Sequence, residues 1–198
     1  MVVFGITGGS GSGKTSVSKM LEKLGVHIID TDVIAHEIVE PNSDCLNELV
    51  NYFGDSILND DKTLNRKKLA SIAFSDKQKT EALSNITHKY IKAEVVKDIN
   101  TTDAELVGID GAVIIGSNIE PLCEFIVSVI ADKQSRITRI KTRDNITDEH
   151  AIQRINAQND DEFYKENSMY IIYNNGDIAQ LESDVVVLFN KIKGNSFE

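Results

Sequence analysis

The chain has 198 residues, 41% of them hydrophobic, and a formal charge of −10, which is enough apolar material for one packed α/β unit and little for two. The acidic balance, with a pI near 4.9, excludes a generic nucleic-acid or anionic-membrane surface, because both need an excess of basic side chains; any anionic ligand has to be met by a local basic cluster. No apolar run approaches the ~20 residues of a membrane span and the N-terminus lacks a signal-peptide pattern, so a cytoplasmic protein is expected, with Cys45 and Cys123 reduced and showing neither disulfide-framework nor zinc-ligand spacing.

Val2–Ile6 reads as a buried first strand. It runs straight into "GGSGSGKTSV", that is Gly8, Gly9, Ser10, Gly11, Ser12, Gly13, Lys14, Thr15, Ser16 and Val17. Glycines let a loop turn its N–H groups inward around an anion. The spacing Gly8-x-x-x-x-Gly13-Lys14-Thr15 is the P-loop pattern, in which the lysine reaches the outer phosphates and the threonine hydroxyl meets Mg²⁺. Val17, Met20, Leu21 and Leu24 then follow at helical spacing, so a bound phosphate would also meet the positive end of a helix dipole. An ordinary Gly/Ser turn does not account for the Lys-Thr pair in this setting.

The second strand, Val26–Asp30, ends in "HIIDTD". Asp30 and Asp32, two apart on an extended segment, would face the same way and address Mg²⁺ or an acceptor hydroxyl; either alone could instead cap a helix starting near Val33. Helical stretches at about 43–53, 65–74 and 77–99 fill the ~75 residues before the third strand, more than a parallel crossover needs, and define a helical insert over about 31–103. Strands at Leu106–Asp110, Phe125–Ala131 and Met169–Tyr173 continue a parallel sheet. In "RITRIKTRDN", Arg136, Arg139 and Arg143 share one face of a helix over about 133–143 and read either as an anion clamp or as a solvated basic face. "ITDEHAIQRINAQ" opens a second helix, 147–157, with Thr147 as N-cap. The pair makes a lid over about 133–167. A last helix spans 177–192. The core is then about 1–30, 104–132 and 168–198 of a single P-loop kinase domain. The residues leave open a kinase with another nucleoside or small hydroxyl acceptor and a non-catalytic ATP-binding protein.

"TGGSGSGKTSV", "GVHIIDTDVIAHEIVEP", "LNRKKLASIAFSD", "RITRIKTRDNITDEHAIQRINAQ" and "IIYNNG", in that order, resemble the dephospho-coenzyme A kinase family over essentially the whole chain. The chain differs from the family pattern in "DGAVIIGSN", which keeps Asp110 without the usual proline and glutamate, at His88-Lys89 in place of a His-Pro pair, and at Arg136, where a Gln is usual. The resemblance implies an α/β fold with a five-stranded parallel sheet in the order 2-3-1-4-5, a helical acceptor-binding insert and a lid. It implies ATP-dependent phosphorylation of the ribose 3′-hydroxyl of dephospho-coenzyme A, with ATP and Mg²⁺ required. In that reading Gly9 to Ser16 hold the nucleotide, Lys14 the β- and γ-phosphates and Thr15 the Mg²⁺, with Asp30 and Asp110 in the ion's outer sphere. Asp32 orients or deprotonates the acceptor hydroxyl, Arg139 and Arg143 close over the transferred group, Arg66 and His88 bind the acceptor, and Asn175, within Asn174–Gly176, borders the adenine. A monomer or weak homo-oligomer acting on a small molecule, with no nucleic-acid or membrane partner, is expected.

Overall fold

The computed structural model describes residues 1–195. In chain order the elements are β1 (Val2–Thr7), α1 (Lys14–Lys23), β2 (His27–Asp30), α2 (Thr31–Glu37), α3 (Asp44–Phe53), α4 (Arg66–Ala73), α5 (Lys77–Thr101), β3 (Leu106–Asp110), β4 (Phe125–Ile130), α6 (Lys133–Asp144), α7 (Asp148–Asn156), α8 (Asp161–Glu166), β5 (Tyr170–Tyr173) and α9 (Ile178–Asn195). They form two compact units, one of Met1–Asp30 with the chain from Thr102 onward, the other of Thr31–Thr101.

The first unit is built on a parallel five-stranded sheet in the order β2-β3-β1-β4-β5. Short apolar strands such as "LVGID" are buried throughout, as expected where helices cover a parallel sheet. Phe4 and Ile6 of β1, Val127 and Val129 of β4 and Ile172 of β5 pack with Val17 and Leu21 of α1 and Leu181, Val185 and Leu188 of α9. Register puts Ile6 beside Asp110 on one flank and Val127 on the other, and Asp30 beside Asp110. The C-terminal ends of the central strands therefore lie together, where open α/β sheets bind ligands. After β4, α6 and α7 share a small core of Ile137, Ile140, Ala151 and Ile155.

The second unit is helical. Ile34, Val39, Leu46, Leu49, Leu69 and Ile86 supply its buried apolar positions, and α3 and α4 are capped by Ser43 and Asn65, whose side chains accept N–H bonds from Leu46 and Lys68.

Of two short helices, α8 lies outside the helical stretches read from the sequence, while α2 is the helix near Val33 given as the capping alternative, starting two residues earlier at Thr31. α2 corrects the reading of Asp30 and Asp32 as neighbours on one extended segment: the strand ends at Asp30 and the helix starts at Thr31, so Asp30 is a strand residue and Asp32 a helix residue, and the two-residue alternation of a strand does not relate them. α8 is only six residues and has too few positions for a periodic signal; Asp160 starts it by accepting the Phe163 N–H at 2.9 Å. No helix among the described residues is long and apolar enough to cross a membrane.

Candidate active site

The glycine loop between β1 and α1 turns on positive φ at Gly11 (+77°) and Gly13 (+97°), a region side chains disfavour. Space forbids them as well. A Cβ at Gly11 would lie 2.7 Å from the Arg136 carbonyl oxygen, and one at Gly13 would strike the Asn174 amide. Where α3, α6 and α7 begin under a side-chain cap, no side chain among the described residues caps α1 at Gly13. The N–H groups of Lys14 and Thr15 at its start are left for an external acceptor, that of Ser16 being bonded to the Gly13 carbonyl at 2.9 Å, and the helix dipole favours an anion there. The Ser12 hydroxyl is buried and has no partner among the described residues, a state that costs ~1–3 kcal/mol unless a ligand satisfies it. Uncapped amides, an orphan hydroxyl and a glycine cradle all fit phosphate oxygens.

The carbonyls of the loop are held from outside. Arg139 donates through Nη1 to Gly11 O (3.2 Å) and Ser12 O (3.3 Å), and through Nη2 to Asn174 O (2.9 Å). Asn174 Nδ2 donates to Ser12 O at 2.8 Å. With its carbonyls drawn outward, the loop presents N–H groups on its other side.

Lys14 Nζ pairs with the carboxylate of Asp110, whose second oxygen accepts the Ser18 hydroxyl at 2.7 Å. Asp110 is 2% exposed, so its charge depends on this pairing. Asp30 stands beside it in register on β2, the two backbones one strand spacing (~4.8 Å) apart. Thr15 and Ser16 are exposed on the first turn of α1.

The three arginines read as one stripe have three separate roles. Arg136 is buried, with Nε donating to Ser10 O at 2.9 Å. Arg139 braces the loop. Arg143 is turned to its neighbour Asp144 in a two-pronged bond (2.7 and 2.9 Å), and Arg154 takes the same carboxylate. The hydrogen bonds from Arg143, with Arg154 adding to them, hold the Asp144 carboxyl down at about 2. In this structure Arg143 is therefore engaged by Asp144 and not by the loop, because an adjacent carboxylate is the nearest fork-shaped acceptor. Asn175 accepts the Asp132 N–H at 2.7 Å, tying the turn after β5 to the start of α6.

In the second unit, Asp32 is exposed in the first turn of α2. Arg66, first residue of α4, meets His36 Nδ1 at 2.9 Å. Arg66 and His88 line a cavity of about 300 Å³ whose other walls include Val39, Leu49, Leu69, Leu83 and Ile91. Apolar walls with two polar groups at one site suit an organic ligand with an anionic part.

Two residues of the loop's surroundings escaped individual notice in the sequence. Ser18 lies one helical turn after Lys14, so its position on the same face was legible. Gln158 carried no such signal; its role comes from a contact 148 residues away, as the bond of Asn174, read only within Asn174–Gly176, comes from one 162 residues away.

A parallel sheet in this order, with a lysine-bearing glycine loop opening an uncapped helix behind its central strand, defines a P-loop phosphotransferase. The comparisons narrow the class. The family model for dephospho-CoA kinase matches residues 2–180, and the chain belongs to that family. It is 34% identical over 194 residues to the dephospho-CoA kinase of Listeria monocytogenes, covering 96% of this chain and 97% of that one, and 34% identical over 191 residues to that of Lactobacillus johnsonii, covering 95% and 96%. Among solved structures, dephospho-CoA kinase from Campylobacter jejuni superposes with a TM-score of 0.70 at 26% identity, covering 98% of each chain. Shikimate kinase from Bacteroides thetaiotaomicron, at 18% identity and a TM-score of 0.57 over 97% of this chain and 98% of its own, shares the fold.

Proposed function

We propose that this kinase transfers the γ-phosphoryl group of ATP to the ribose 3′-hydroxyl of dephospho-coenzyme A, giving coenzyme A and ADP. The observation that carries the reading is the glycine loop, uncapped at Gly13 and holding the partnerless Ser12 hydroxyl, in a chain of this family. The acceptor oxygen forms the new bond to phosphorus as the bond to the bridging oxygen breaks; the hydroxyl proton leaves toward Asp32 and the electron pair stays on ADP. Such transfer depends mainly on positioning and charge neutralisation. The loop from Gly9 to Ser16, through its amides at Gly11, Gly13, Lys14 and Thr15, and the Lys14 ammonium hold the outer phosphates, Lys14 being drawn from Asp110 to the stronger local anion. Thr15 with Asp30 and Asp110 would hold Mg²⁺, which supplies charge neutralisation on the phosphates when bound. Arg139 and Arg143 act on the transferred group, Arg143 leaving Asp144 to do so. Asn175 borders the adenine, and Arg66 and His88 bind the acceptor through the insert, residues about 31–103, while about 133–167 serve as the lid. The enzyme works on this small molecule in the cytoplasm as a monomer or weak homo-oligomer.

ADP release measured with and without dephospho-coenzyme A tests the assignment. Release that depends on dephospho-coenzyme A is expected; release unchanged by it, or none at all with ATP bound, would overturn it. Asp32→Asn keeps shape but removes the charge, so turnover should collapse with ATP affinity little changed. A helix-capping role predicts near wild-type turnover instead, since Asn caps as well as Asp.

A further inference from the structure

We propose that Gln158, together with Arg136, is a positioning residue of the nucleotide site: the two side chains clamp Ser10, hold the phosphate loop in its binding shape and tie it to the helices after β4. The proposal rests on the phosphate-loop reading above.

Every polar group of Ser10 is engaged. Its N–H donates to Gln158 Oε1 at 2.8 Å, its carbonyl accepts from Arg136 Nε at 2.9 Å, and its hydroxyl accepts from Gln158 Nε2 at 3.2 Å. Gln158 Oε1 also accepts from Arg136 Nη2 at 3.1 Å, which closes the network. Ser10 therefore turns its N–H to the clamp, and the phosphate-facing amides begin after it. Arg136 is 5% exposed, and its remaining nitrogen Nη1 lies 3.9 Å from Asp161. A buried guanidinium is costly unless its donors are used, and here Nε serves the loop and Nη2 the residue that holds the loop. The backbone fits closely too, since a Cβ at Gly11 would lie 3.0 Å from Arg136 Cα.

The loop needs such a clamp for a general reason. A segment with glycine at positions 8, 9, 11 and 13 has more conformations to lose on binding than any other composition. Bonds that remove those conformations beforehand lower the cost of binding a nucleotide. Gln158 directly follows Ala157, the C-cap of α7, so any displacement of α7 is felt at Ser10.

The test is nucleotide affinity, by titration with ATP and ADP, of wild type, Gln158→Ala, Gln158→Glu and Arg136→Lys, with melting curves taken without nucleotide. Gln158→Ala removes both Gln158 bonds to Ser10, and its Kd for ADP should rise about ten-fold, at roughly one modest net hydrogen bond's worth or more. The acceptor KM should not move. Gln158→Glu keeps an acceptor for the Ser10 N–H and for Arg136 and lets the Ser10 hydroxyl donate, so its affinity should recover to within about three-fold of wild type. An ammonium cannot span Ser10 and Gln158, so Arg136→Lys should weaken binding about as much as Gln158→Ala. The double variant should lose little more than either single one, since the bonds form one network. Wild-type affinity in Gln158→Ala, or no recovery in Gln158→Glu, would overturn the clamp. Should Gln158→Ala not fold, weakened Arg136→Lys beside near-normal Gln158→Glu supports it, and the reverse order overturns it. A wild type that bound neither nucleotide would overturn the phosphate-loop reading itself.

Discussion

Lys14 is paired with Asp110 and is proposed to hold the outer phosphates as well, and its replacement separates the two roles. It neutralises Asp110, whose side chain is 3% exposed against 13% for the lysine. Lys14→Ala removes the cation paired with a buried carboxylate that Ser18 also bonds, a change that typically costs ~3–5 kcal/mol of stability. It also removes the cation for the outer phosphates, so transfer should fall by orders of magnitude, as expected for electrostatic contacts worth ~3–4 kcal/mol each. Adding Asp110→Asn removes the stranded charge. The double variant should therefore melt near wild type while remaining inactive, and melting curves beside turnover check both halves. Asp144 presents the opposite case, an acid whose bonds lie at the surface. Its carboxyl is held at about 2, first by Arg143 and then by Arg154. A depressed pKa contributes stability that is present above the ordinary carboxylate value of 3.8 and is lost as pH falls through about 2. Asp144→Asn should therefore be less stable than wild type at neutral pH, with the difference closing between those two values; acid titrations of both proteins measure it. Arg143→Lys should slow turnover if the guanidinium fork reaches the transferred group, because an ammonium cannot reproduce it, and unchanged turnover would leave Arg143 as Asp144's partner alone.

At the scale of elements, the helices differ in how they begin, and the differences sort structure from function. Side chains supply the missing acceptors at the start of α3, α4, α6, α7 and α8. α1 starts bare. A cap at Gly13 would occupy the same N–H groups that the proposed phosphate contacts need. α4 tests the value of a cap near the proposed acceptor residues: Asn65 accepts the Lys68 N–H at 2.9 Å, and Arg66 is the first helical residue. Asn65→Ala should cost about 1 kcal/mol of stability. If Arg66 meets the acceptor, KM for dephospho-coenzyme A should also rise while the Kd for ATP stays constant, and steady-state kinetics with nucleotide titration distinguish the two.

For the whole molecule, ligand linkage gives the broadest check. A nucleotide that binds only the folded protein at a hundred times its Kd stabilises by ~2.7 kcal/mol, which for a chain of this size is a rise in Tm of roughly 5–10 °C. ADP should produce that rise in wild type. It should produce little in the Lys14→Ala, Asp110→Asn double variant, and an equal rise in both would place the phosphate contacts elsewhere.

Much of the fold was legible along the chain. All five strands, the order of helices between them and the glycine loop came from short-range patterns: apolar runs of four to six residues, helical periodicity, and a motif whose eight positions are contiguous. Such signals are local, so adjacent residues carry them. α8 escaped because a helix of six residues completes hardly two turns, too few for periodicity to register, and α2, at seven, showed only as a helix that an aspartate could cap. The loop, its lysine and the carboxylate ends of β2 and β3 were also read from the sequence. What held the loop was not. Arg136, Arg139 and Arg143 share one spacing and one chemistry, and nothing in that spacing tells which goes into the interior, which braces carbonyls and which turns to Asp144. That was decided by what α6 packs against: the loop meets the N-terminal half of the helix, so Arg136 and Arg139 reach Ser10, Gly11 and Ser12, while Arg143, a turn further on, finds Asp144 first. The pairing of Lys14 with Asp110 across 96 residues likewise depends on β3 lying next to β1, a sheet order that short-range pattern does not encode. Local chemistry determined which groups this protein carries; the packing of distant segments decided which of them are spent on holding the loop and which remain for the ligand.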